Sequence, residues 1–165
     1  VNKIEKRAKQ ARDTADLFYK AYVRCYEPMP IETDPKFDLT LPSIVSLSLC
    51  CEICLKAIYM CQEGKFHEEE KHSLRYLYNR IDDVRRNKIK KLCVDEYKRN
   101  YFANENVEEN SFEVELKKVS HLFANSRYMY ERDKLDVSIG FLVLLTDACF
   151  DALEDEIDMR GMNKG

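Results

Sequence analysis

The stretch SLCCEICLKAIYM, residues 48–60, decides the fold. It lies in an apolar run from Pro42 to about Gln62, and only Glu52 and Lys56 are charged within it. Helical periodicity predicts a single helix there, opened by Pro42 in its first turn. The run is long enough for a membrane span. Two charges at its centre, each costing roughly 3 kcal/mol on insertion scales, argue instead for the central helix of a soluble bundle.

The stretch also carries Cys51-x-x-Cys54, with Cys50 beside it. Cys50, Cys54 and Cys61 fall on one helix face and Cys51 on another. Structural zinc sites gather ligand pairs from two places, and the chain has no second such pair. A thioredoxin-like motif needs a preceding strand, which is missing. The thiols read as small buried hydrophobes, with no metal and no cofactor expected. HEEEKH, residues 67–72, spaces its histidines by five rather than the four of a zincin helix. Glu69 and His72 form one Glu-x-x-His, where a di-iron bundle uses two.

Working outward, 165 residues suit one domain with a real core. Four Gly and four Pro, against many charged and aliphatic residues, favour an all-α chain. Net charge is −3, so the chain as a whole does not advertise a polyanion partner. Seven cysteines and a polar start, VNKIEKRAKQ, lead to an expectation of reduced thiols in the cytoplasm.

Residues 2–24 place Ile4, Ala8, Ala11, Ala15, Phe18 and Tyr22 on one helical stripe. A proline-rich connector ends this N-terminal unit near residue 40. A bundle spanning 41–160 follows, then a polar tail, 161–165. Leu74, Leu77, Ile81 and Val84 predict a helix from Ser73 toward Tyr101. Phe112, Leu116, Val119 and Phe123 predict another, capped by Asn110 and running to about Asp133. The last helix is expected to open at Asp136. The result is an antiparallel bundle of about five helices.

Glu52 and Lys56 stand four apart in the favourable order for a helix ion pair. In so apolar a helix at least one of them is buried and needs a partner. Arg127, flanking the inner face of its helix, and His72 are the candidates. The four either form a polar clasp that fixes packing or hold a ligand.

Three segments resemble the HEPN domain family, the nucleotide-binding helical domains of higher eukaryotes and prokaryotes. LCCEICLKAIYM is similar to that family's Glu-x-x-x-Lys-Ala helix, here Glu52, Lys56 and Ala57. EEKHSLRYLYNRI is similar to its His-x-Leu helix start, here His72 and Leu74. SRYMYE is similar to its Arg-Tyr element, here Arg127, Tyr128 and Glu131. Many HEPN proteins are ribonucleases with an Arg followed four to six residues later by His. No arginine here has such a histidine. The resemblance therefore implies a non-catalytic, homodimeric module that binds RNA, a nucleotide or a protein partner, in a defence or toxin–antitoxin setting. The alternatives are a ribonuclease with an unorthodox site around His72 and Arg127, and a purely structural helical adaptor that dimerises through its first helix.

One further feature bears on RNA. Residues 85–100 hold seven Lys or Arg against two acids, among them Arg85, Arg86, Lys88, Lys90 and Lys91. The last helix is acidic. The basic run is either an electrostatic footprint for RNA or a solvated helix face.

Overall fold

The computed structural model describes residues 3–26, 39–65, 71–100, 109–126 and 138–162. Every regular element among them is a helix: α1 Lys3–Tyr26, α2 Thr40–Glu63, α3 Leu74–Arg80, α4 Asp83–Asn100, α5 Glu109–Val119, α6 Leu122–Ser126 and α7 Ile139–Met162.

The apolar run forms α2, with Pro42 in its first turn. Gly64, at φ 68°, stops it, its N–H donating to the Met60 carbonyl at 3.0 Å. By length and composition α2 is apolar enough to cross a membrane, but 72% of its most apolar window is buried inside the protein. It packs against α1, α3, α6 and α7. Leu47, Leu55 and Ile58 are wholly buried, each contributing about 1.5–3 kcal/mol by leaving water.

The order of contacts gives the helix directions. Thr146 Oγ1 donates to the carbonyl of Leu142 at 2.7 Å and reaches that of Leu47 at 3.5 Å. Cys51 and Cys149 sulfurs lie 3.9 Å apart, and Arg160 donates to the Cys61 carbonyl. These pairings ascend together, so α2 and α7 run parallel. Arg12 meets Glu154 at 3.0 Å and Tyr19 hydrogen-bonds Asp147, so α1 runs the other way. Arg85 meets Glu156 and Lys88 meets Asp155, so α4 does too. Consecutive long helices thus alternate in direction, and the two most apolar ones meet as parallel partners. The alanine-rich stripe of α1 lies on the bundle, with Ala8 and Ala15 fully buried.

Two expected helices are broken. The one from Ser73 ends at Arg80, because Ile81 is extended and Asp82 starts α4 afresh. Asp82 Oδ1 accepts the Arg85 N–H at 2.9 Å, an N-cap. Val84, expected on the inner stripe, is consequently 78% exposed. The second break separates α5 from α6. There the Ser120 carbonyl accepts the N–H of Leu74, at 2.9 Å, in place of a bond along its own helix. Helix α5 begins at Glu109, so Asn110 lies inside it rather than at its cap. Ser138, whose hydroxyl accepts the Phe141 N–H at 3.2 Å, caps α7. Helix α7 extends through Gly161, where a polar tail was expected. Asp133 and Asp136, like Arg127, Tyr128 and Glu131, lie outside the described residues.

Candidate functional site

Helix α2 carries Glu52 inward, with 6% of its side chain exposed. Lys56, one turn on, donates to Oε1 at 2.7 Å. His72, in the segment before α3, brings Nδ1 to 3.0 and 3.1 Å from the two carboxylate oxygens. Lys56 and His72 keep 30% and 42% of their side chains in water, so both remain hydrated while the carboxylate does not. The His72 ring also packs on Phe123, its centroid 5.0 Å away. Glu52, Lys56 and His72 therefore form one cluster tying α2 to the start of α3. Arg127 and Tyr128, the other expected members, lie outside the described residues.

The segment that His72 anchors forms one wall of a surface cleft of about 400 Å³. Ser73 Oγ lies 2.7 Å from Ser120 Oγ, which accepts the Arg75 N–H at 3.2 Å. This serine pair staples the start of α3 to the end of α5. Arg75 and Asn79 line the cleft from α3, while Lys117 and His121 line it from α5 and the residue pair after it. Arg75 and Asn79 are spaced i, i+4, which puts them on one face of α3, and His121 lies just past the end of α5. All four are exposed. Tyr76 completes the wall, with the Lys71 ammonium 4.6 Å from its ring centre. No carboxylate is among the described lining residues. Sequence reading passed over these positions, although the polar i, i+4 pair on α3 was visible. Nothing in one sequence says that two short helices will face one another.

A larger cavity, about 830 Å³, lies between α1, α4 and α7 and has the opposite character. Asp147, Asp151 and Glu96 line it beside Tyr19 and Tyr22. Burial pushes the Asp147 carboxyl above its ordinary range, with Asp151 and Glu96 adding to the rise against a hydrogen bond from Tyr19. With Asp16 also in the lining and Arg99 paired to Glu96, the cavity is net acidic and disfavours anions.

The basic run on α4 is engaged within the fold. Arg85 grips Glu156 with two bonds, 2.7 and 2.8 Å, and also meets Asp82. Hydrogen bonding to Glu156 raises the already high pKa of Arg85 further. Lys88 pairs with Asp155 and Arg86 with Asp83. Lys90 lies 5.9 Å from the Phe112 ring centre, and Lys91 is exposed. Two of the basic residues, Arg85 and Lys88, are thus neutralised by α7, which weakens an RNA footprint at that end of α4.

Cys50, Cys51, Cys54, Cys61, Cys93 and Cys149 are buried. Burial pushes the Cys93 thiol up to about 12 and the Cys149 thiol well above its ordinary value. A hydrogen bond with Cys50, followed by burial, does the same for Cys54. Protonated thiols are poor nucleophiles and poor metal ligands. Among the described residues, no three His, Cys, Asp or Glu side chains converge as a ligand set.

Comparison with known proteins returns no match: no family model, curated protein or solved structure matches this chain.

Proposed function

We propose that the chain is a non-catalytic, HEPN-like helical binding module whose ligand-bearing surface is the face where α3 meets α5. The observation that carries this reading is the engagement of Glu52 by both Lys56 and His72. A histidine serving as general acid or base moves protons at a substrate. Here His72 turns Nδ1 to the buried Glu52 carboxylate and ties the start of α3 to α2. It is the lack of an arginine four to six residues before any histidine that supports the non-catalytic reading. The cluster acts as the foundation of a surface, and the polar cleft beside it is that surface.

RNA, a nucleotide or a protein partner remains the ligand class, and a homodimer belongs to the same proposal. Ile4, Ala8 and Ala15 of the α1 stripe pack into the bundle, while Ala11, Phe18 and Tyr22 are only partly covered. The test is incubation of purified protein with end-labelled single-stranded RNA in EDTA, followed by denaturing electrophoresis. The RNA should stay full length. Shortening that disappears in His72→Ala would establish the ribonuclease reading instead.

A further inference from the structure

We infer that the α3–α5 cleft is a binding site for a phosphate-bearing ligand, with Arg75 and Lys117 as the principal phosphate contacts. The inference rests on the binding-module reading and gives that surface its chemistry.

Arg75 and Lys117 approach the same 400 Å³ cleft from different helices. Both are exposed, and neither side chain is ion-paired among the described residues. This sets them apart from Arg85, Arg86 and Lys88, each of which meets a carboxylate. An arginine fork and a lysine point charge are complementary means of holding a phosphate. His121 and Asn79 extend the donor set along the cleft.

The rest of the wall suits the same ligand. Tyr76 lines the cleft, and the Lys71 ammonium 4.6 Å from its ring centre puts a further cation at this wall. The serine pair is held by its own contacts across the helices and fixes the distance between the two cationic arms. The larger cavity between α1, α4 and α7 is net acidic, and in a third, about 370 Å³, Lys56 is already paired with Glu52. A chain of net charge −3 thus concentrates unneutralised positive charge where its shape can receive a phosphate.

A phosphodiester of a polynucleotide and the phosphates of a free nucleotide present the same chemistry, so two probes separate them. Fluorescence anisotropy with a labelled twelve-residue oligouridine tests the polymer. Calorimetry with ATP tests the free nucleotide. At least one should bind, and Arg75→Ala/Lys117→Ala should weaken that binding by about tenfold or more. Lys6→Ala, an exposed cation on α1, should leave it unchanged.

For the oligonucleotide, two neutralised phosphates predict a slope of log affinity against log salt of about −1.4, largely lost in the double variant. A purely structural role would not move that slope. Melting temperatures of the variants should match the parent, because both side chains are exposed.

Binding of neither probe at millimolar concentration would overturn the assignment. So would full affinity in the double variant, which would leave the binding-module reading standing with its site elsewhere. Cleavage of the RNA would overturn the module reading while leaving the cleft to be judged by its affinity.

Discussion

Glu52 is a carboxylate that a core would expel were it not for two donors. Its Glu-first spacing to Lys56 was legible in the sequence, and so was its need for a further partner. His72 was one of two candidates for that role, and only the packing of the α3 start against α2 selected it among the described residues. The partners back each other up. Lys56→Ala leaves His72 on the carboxylate, and His72→Ala leaves Lys56. Each should cost about 1–2 kcal/mol. Removing both strands a buried charge, which typically costs about 3–5 kcal/mol. Urea melts of the two single variants and the double should therefore show a loss exceeding the sum. Simple additivity would mean that the two donors do not share the carboxylate.

At the scale of elements, two breaks shape the molecule. Apolar periodicity runs through Leu74, Leu77 and Ile81 and continues less cleanly, with Val84 in phase, to Ile89 and Cys93; all but Val84 are buried. Periodicity therefore could not reveal the break at Ile81. The Asp82-Asp83 pair could, since aspartate is a favoured N-cap. Asp82→Ala should destabilise by about 1 kcal/mol through loss of the α4 cap and its contact with Arg85. Asp83, exposed and paired only across the surface with Arg86, should cost under about 0.5 kcal/mol when replaced by alanine. Chemical denaturation of the two variants distinguishes a cap from a surface pair. The break at Ser120 has no such signal. Its carbonyl and hydroxyl are drawn off by Leu74, Arg75 and Ser73, all more than forty positions away in sequence. Without that break the α3–α5 cleft would not have this wall.

The whole molecule places its charges and thiols in ways that can be titrated. Asp147 holds its proton more tightly when folded than in the unfolded chain. Its contribution to stability is therefore fully present below the ordinary carboxylate pKa of about 3.9 and is lost as pH rises through the higher folded value. Asp147→Asn should melt above the parent at pH 7, and the gap should close toward about pH 4. A gap independent of pH would contradict this. The thiols give a second check. Cys25 is partly exposed, and the other six cysteines are buried. Excess aromatic disulfide reagent should modify one thiol promptly, and the rest only as fast as the protein opens.

Composition and the 3.6-residue period were enough to make this an all-α chain built around the 42–62 helix. Those signals are local, and burial of an apolar face follows from them directly. The reading of its cysteines as core side chains rested on the same local pattern. Spacing along one helix likewise supplied Glu52 and Lys56 as a pair. Tertiary structure alone decided which distant groups meet. It set Arg85 and Lys88, two of the seven cations that a linear reading offered to RNA, against the acids of α7. It also brought Arg75 and Lys117, forty-two positions apart, to one cleft. The physical reason is that electrostatic pairing and cleft formation depend on distances in space, which helix periodicity does not encode.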